Sequence, residues 1–242
     1  MLLAVNVGNS TVAYGIFDRR SLHRHGRRWL SDAAGLPNEI GDEPVATIAL
    51  ATVAPARTGP IIEALSRRYE KPVLVVGKDL PIGIEVECDE PCKVGADRLL
   101  NAVAAYERIH AETIVVDVGT AITVDVVSDR GSFCGGAIAP GPETMLRALA
   151  EFTELLPEVS FAPPTTAVGR NTVAAMRSGT WHGTIGIVRE LIGRMAAERG
   201  TNPTILVTGG AGGFVAEGLG PHARFVPHLT LEGLAILVER TD

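Results

Sequence analysis

Four short stretches of this sequence carry residue types suited to handling phosphate. Gly8-Asn9-Ser10-Thr11 places backbone N–H groups, an amide and two hydroxyls together. Glycine lets the backbone approach an anion closely and the N–H groups supply donors. Such a run is also an ordinary polar turn. A second tip at Gly119-Thr120-Ala121 and a third turn, TGGAGGF at Thr208 to Phe214, make a phosphate-and-nucleotide site the better account. The last is not a dinucleotide fingerprint, because Val215 stands where the third glycine belongs. In KVGADRLLNAV, Lys93 to Val103, Asp97 stands at an expected helix start, whose positive end favours the ionised carboxylate. An ionised carboxylate can orient a substrate hydroxyl and accept its proton during phosphoryl transfer. Arg98 offers a planar fork of donors to a polar substrate. The plainer alternative is a capping aspartate beside a solvated arginine.

The elements that must position these residues are readable. Leu2 to Val7 and Val12 to Phe17 read as two strands of a hairpin, as do Ile114 to Val118 and Ile122 to Val127. Asn6 and Asp117 occupy matching places in the two hairpins, 117 − 6 = 111 residues apart. The unit therefore repeats, too long in period for a solenoid. Further strands are expected at Val45 to Val53, Val73 to Val76 and Thr204 to Val207. Helices are expected at 58–69, Asp97 to Ala111, Pro142 to Leu156, Thr172 to Arg199 (with glycine interruptions) and Leu231 to Arg240. CGGAIAPGPETM, ahead of Pro142, reads as a glycine-rich turn. The expected organisation is two similar halves, 1–111 and 112–242, without a linker, with packing of the C-terminal helix back on the first half left open.

The 242 residues can bury a sizeable core, and 46% apolar with 21% charged is ordinary for a globular chain. A net charge of −6 argues against a nucleic-acid partner. The basic run Arg19 to Arg28 lacks interleaved aromatics and reads as an exposed turn. Three cysteines form no zinc pattern and six scattered histidines no ligand cluster. Met1 leads directly into a strand rather than a signal peptide, and no apolar stretch reaches the ~20 residues that span a bilayer. A cytoplasmic location is the expectation.

In combination the motifs resemble those of the type III pantothenate kinases, within the actin, sugar kinase and heat-shock chaperone ATPase superfamily. NVGNST (Asn6 to Thr11), GADRLLNA (Gly95 to Ala102), DVGTAITVD (Asp117 to Asp125), GGAIAPG (Gly135 to Gly141), LLP (Leu155 to Pro157), VGRNT (Val168 to Thr172), SGTWHG (Ser178 to Gly183), TGGAG (Thr208 to Gly212) and LTLEGL (Leu229 to Leu234) occur in the family's order. The resemblance implies an α/β protein of two ribonuclease-H-like, actin-like ATPase domains flanking a nucleotide cleft. It implies ATP-dependent phosphorylation of pantothenate, the entry step to coenzyme A, with Mg²⁺ and K⁺ or NH₄⁺, in a homodimer. It makes Asp97 the proton acceptor, with Gly95, Ala96 and Arg98 lining the pantothenate site and Thr172 reaching it from the partner subunit. ATP phosphates fall to Asn6, Val7, Gly8, Asn9, Ser10, Thr11, Val12 and Ala13 and to Thr120. The adenosine falls to Gly209, Gly210 and Ala211, and the monovalent cation to Asp117.

Two positions depart from the family. Asn6 replaces an aspartate tied to the magnesium–phosphate chemistry, so no negative charge is supplied there. Cys88 stands in the substrate pocket where the family tends to place tyrosine. These departures support a second reading, a weakened or silent homologue that binds a nucleotide or metabolite. Cys88 also leaves open a different small hydroxyl-bearing acceptor.

Overall fold

A computed structural model describes residues 1–241. In chain order its elements are β1 (Leu2–Val7), β2 (Thr11–Asp18), β3 (Ser21–Trp29), α1 (Leu36–Ile40), β4 (Thr47–Thr52), α2 (Pro55–Tyr69), β5 (Val73–Val75) and α3 (Ala96–Ile109). There follow β6 (Thr113–Val118), β7 (Ala121–Val127), β8 (Phe133–Pro140), α4 (Pro142–Glu151), α5 (Thr172–Arg199), β9 (Thr204–Thr208), α6 (Gly212–Leu219), β10 (Ala223–Phe225) and α7 (Leu229–Glu239). The chain divides into two compact units. One comprises Met1–Arg108, Gly131–Phe133 and the C-terminal stretch from His228; the other comprises Ile109–Arg130 and Cys134–Pro227.

Each unit is built on a five-stranded sheet, and the two sheets share one plan. The first has the order β3-β2-β1-β4-β5. β1 is antiparallel to β2 and parallel to β4, and β5 continues the parallel side. The second sheet reads β8-β7-β6-β9-β10, again third, second, first, fourth and fifth strand. β6 is antiparallel to β7 and parallel to β9, with β10 beyond it. β1 and β6 are therefore central strands. Their Leu3, Ala4, Val5 and Val7 and their Ile114, Val115, Val116 and Val118 are all buried, as expected of strands covered on both faces.

The faces of the first sheet differ. Leu3, Val5, Val7, Ile48 and Leu50 pack with Leu36, Ile40, Ile61 and Leu65 from α1 and α2. The small residues Ala4, Ala49 and Ala51 pack with Leu231, Leu234 and Leu237 of α7, along with Leu100 of α3. In the second unit, α5 and α6 cover the face that carries Ile122, Val124, Val126, Val116 and Val207.

Three local expectations change. The basic run is not a turn: Ser21–Trp29 is edge strand β3, paired antiparallel with β2. Its Arg and His hid the strand because consecutive residues, His23 to His25, are exposed, so the in-and-out alternation that marks a half-buried strand is missing. CGGAIAPG is likewise strand β8 beside β7. A Cβ on Gly136 would lie 2.2 Å from the Val124 carbonyl oxygen, so small residues there serve close approach rather than a turn. α5 is one uninterrupted helix of 28 residues despite its glycines, capped by Asn171, whose side chain accepts from the Ala174 N–H at 2.9 Å. Within the first unit, the strand also brings His25 against His228 at the start of α7, ring centroids 4.1 Å apart.

Burial, the neighbouring His25 and Arg27 together push the His228 pKa down, with Glu232 opposing. The folded state thus favours the neutral form of His228 more than the unfolded chain does. Its contribution to stability is full above the unfolded value of about 6.5 and is lost as pH falls through the depressed folded value. Thermal melts from pH 7.5 to 5 should show Tm falling across this window, and His228→Asn should flatten that fall. An unchanged slope in the variant counts against the assignment.

Candidate active site

Asp97 lies in the first turn of α3, partly buried. Its Oδ1 accepts a hydrogen bond from the Arg98 backbone N–H at 2.8 Å, so the carboxylate caps its own helix. A Cβ at residue 95 would lie 2.7 Å from this oxygen, which explains glycine there. The sequence suggests a carboxylate whose ionised form is favoured by the helix start. The structure reverses the net sign. Burial raises the Asp97 pKa and outweighs the Arg98 N–H bond and the Arg98 charge, which lower it. A raised value makes a better proton acceptor, nearer to working pH.

Arg98 does not simply extend into solvent. Its guanidinium carbon stands 5.2 Å from the centroid of the Phe133 ring, a cation–π arrangement. The Phe133 carbonyl accepts from the Glu87 N–H at 2.8 Å, and Phe133 bridges to Val86. Cys88 is the next residue, a free, partly buried thiol. The segment bearing Cys88 and the helix bearing Asp97 and Arg98 are thus tied through Phe133. No sequence signal marks Phe133, which is 133 − 98 = 35 residues from Arg98.

The first hairpin tip is held by a Gly8 N–H bond to the Thr11 carbonyl at 2.9 Å. The Leu30 N–H donates to the Ser10 carbonyl at 2.8 Å, and Arg57 donates to the Asn9 carbonyl at 3.4 Å. Asn6 pairs across the sheet with Ala13. Its Oδ1 is buried and has no hydrogen-bond partner, an oxygen available to a bound ligand or its water.

In the second unit the structure gathers three predicted features. The Gly119 N–H donates to the Ala121 carbonyl at 2.9 Å to close the tip. The Thr120 carbonyl accepts from the Gly141 N–H at 3.0 Å and from the Thr144 hydroxyl at 2.7 Å, which fixes the tip to the start of α4. The Ala211 N–H donates to the Val118 carbonyl at 3.0 Å, placing the Gly209-Gly210-Ala211 turn on the same hairpin. Gly209 has φ +90°, and a Cβ there would lie 2.4 Å from Asp117 Oδ1 and 2.5 Å from the Val118 carbonyl oxygen. Gly209→Ala should therefore push the turn away from Asp117. The expected result is a lower Tm; a variant with unchanged Tm contradicts this packing. Just beyond the turn, Phe214 joins Trp181 at 4.2 Å and Phe161 at 5.0 Å between centroids. Thr172 is exposed, the first residue of α5.

The sequence model of the type III pantothenate kinases matches residues 2–194. This chain belongs to the type III pantothenate kinase family. The type III pantothenate kinase of Geotalea uraniireducens is 39% identical over 99% of this chain and 98% of its own. That of Geobacter sulfurreducens is 38% identical over 99% of both. Among solved structures, a Baf family transcriptional activator from Campylobacter jejuni aligns with TM-score 0.66 at 19% identity, covering 99% of this chain and 98% of that one. An inorganic polyphosphate/ATP-glucomannokinase from Arthrobacter aligns at 0.53 and 15% identity over 100% and 99%. Likenesses at that identity concern the fold, and they agree with two ribonuclease-H-like units. As a member of the type III pantothenate kinase family, the chain is an ATP-using kinase.

Proposed function

We propose that this chain transfers the γ-phosphoryl group of ATP to the primary hydroxyl of pantothenate, the first committed chemistry toward coenzyme A. The observation that carries the assignment of roles is Asp97. Its carboxylate is fixed by one backbone N–H, raised in pKa by burial, and flanked by an arginine held on Phe133. Such a group accepts the hydroxyl proton as the oxygen attacks phosphorus. Gly95, Ala96, Arg98 and Cys88 line the acceptor, and the fixed guanidinium orients its polar groups. Phosphoryl transfer otherwise needs positioning and charge neutralisation. The N–H groups and hydroxyls of Asn6 to Ala13 and of Thr120 hold phosphate oxygens, and Gly209 to Ala211 lie along the adenosine.

The donor sets fit the implied ions. No group of three or more His, Cys, Asp or Glu among the described residues makes a protein cage for a metal. That suits Mg²⁺, which is usually held by few side chains together with substrate phosphates and water. The orphaned Asn6 Oδ1 can accept from a metal-bound water. Asp117, beside the Gly209 turn, supplies a carboxylate to K⁺ or NH₄⁺. Bound there, these cations neutralise phosphate charge.

A homodimer is part of this reading, with Thr172 reaching the partner's site. Phe152, Leu155 and Val168 are 82%, 88% and 77% exposed in the segment around α4 and the start of α5. A second copy covering these side chains would remove their apolar surface from water. A cytoplasmic location also belongs to the reading; no helix among the described residues is long and apolar enough to cross a membrane.

The test is a coupled ADP-release assay with ATP, Mg²⁺, K⁺ and pantothenate, with other small hydroxyl-bearing acceptors in parallel. Pantothenate-dependent ADP that vanishes in Asp97→Ala supports the reading. Turnover only with another acceptor reassigns the pocket around Cys88. Nucleotide binding without any turnover favours the silent homologue that Asn6 makes plausible.

A further inference from the structure

Among the described residues, the buried side-chain oxygens without a hydrogen-bond partner are Asn6 Oδ1, Thr123 Oγ1 and Thr184 Oγ1. Two of them fall in the equivalent cross-strand pair of the repeated hairpin, on opposite strands. Asn6 is directly opposite Ala13 in β1–β2, and Asp117 is directly opposite Thr123 in β6–β7. Each is the second pair from its tip. Directly opposed residues of an antiparallel pair share a face, with Cβ atoms about 4.5–5.5 Å apart. Each hairpin therefore places one orphaned oxygen in the same cross-strand pair near its phosphate-type tip.

The surrounding layers do not account for the Thr123 hydroxyl. α5 and α6 pack on the opposite face of β7, with Ile122, Val124 and Val126. The fold does not require a hydroxyl at this station either, because the first hairpin has Ala13 there. A buried, unpartnered hydroxyl costs stability that a valine of the same shape avoids. Beside a carboxylate, it points to an oxygen-seeking ligand. We propose that Thr123 is a positioning residue for the monovalent cation assigned to Asp117. Its Oγ1 supplies a neutral oxygen to the ion, directly or through one bound water, while Asp117 supplies the charge. Potassium exchanges its hydration shell for several such oxygens. The proposal rests on the reading of Asp117 as the cation residue and extends it to the opposite strand.

The full-length protein tests this without relying on turnover. Tm is followed in Mg·ATP without pantothenate as KCl replaces N-methylglucamine chloride at constant ionic strength, and the K⁺ dependence of ADP release is measured in parallel. Thr123→Val is expected to raise the K⁺ concentration at half-effect by about 3- to 10-fold, the scale of one net hydrogen bond. Its Tm without K⁺ should equal or exceed that of the unaltered protein, and Thr123→Ser should restore the K⁺ midpoint. Thr123→Ala, which copies the first hairpin, is the second variant should valine disturb the sheet. An unshifted K⁺ midpoint in both Val and Ala variants overturns the proposal. So does a folded Thr123→Val whose Tm without K⁺ drops sharply, because the hydroxyl is then structural. Asp117→Asn separates the layers: if it keeps the full K⁺ response, the reading of Asp117 fails and the proposal falls with it.

Discussion

Asp97→Asn is expected to lower kcat by about 10²–10⁴-fold, the usual contribution of a positioned general base, while leaving Tm unchanged or higher. Asparagine has the shape of aspartate, and its amide oxygen can still accept the Arg98 N–H bond seen at 2.8 Å. What it lacks is basicity. The stability side follows from the raised pKa. A carboxyl whose folded value lies above its unfolded value contributes stability that is complete below the unfolded value, about 3.9, and lost as pH rises through the folded value. The ionised form of the partly buried Asp97 is therefore a cost to the fold, and asparagine removes it. The Tm advantage of the variant should grow as pH rises from the unfolded value through the raised folded value. In the unaltered enzyme, kcat/KM should climb with pH along an acid limb displaced above the ordinary carboxylate range. Full activity in Asp97→Asn would remove Asp97 from the chemistry. A folded, inactive variant with Tm lower at pH 7 than the parent would leave the catalytic role standing and refute the burial cost.

Asn6→Asp is expected to act in the opposite direction and to raise kcat by about 10²–10³-fold. This matches the effect of one preorganised electrostatic group, roughly 2.7–4 kcal/mol. Asn6 Oδ1 is already a buried oxygen with no partner, so the substitution adds a charge without adding a clash. Without metal that buried charge sits at an oxygen with no hydrogen-bond partner, and Tm should fall below that of the parent. With Mg·ATP the developing phosphate charge and its cation are held more tightly, so the ligand-induced rise in Tm should be larger in the variant. Tm with and without Mg·ATP, together with kcat at saturating Mg²⁺, checks both halves. An Asn6→Asp protein no faster than its parent would mean that this chain meets the charge requirement elsewhere.

Both variants touch residues that were conspicuous in the sequence, but their energetics were not. The hairpins at Asn6 and Asp117 could be read because a central strand buried on both faces must be an unbroken apolar run. Turn residues at Gly8 to Ser10 and Gly119 to Thr120 then mark where each run reverses. α3 was legible from its periodic apolar face. β3 and β8 were not, since β3 lacks the in-and-out alternation and a strand of small residues resembles a turn.

The repeated hairpin and the α/β class were legible in the sequence, because each depends on residue types at short, fixed separations, and the kinase family was legible in the run of motifs that resembles it. The tertiary structure alone decided what depends on neighbours distant along the chain. It alone shows the common strand order of the two sheets. It set Arg98 on Phe133, brought Gly209 against Asp117, and left oxygens of Asn6 and Thr123 without partners. It also reversed the expected direction for Asp97. A helix start acts on a carboxylate from within one turn, and sequence records that. Desolvation is summed over everything packed around the group, and only the folded chain fixes that sum.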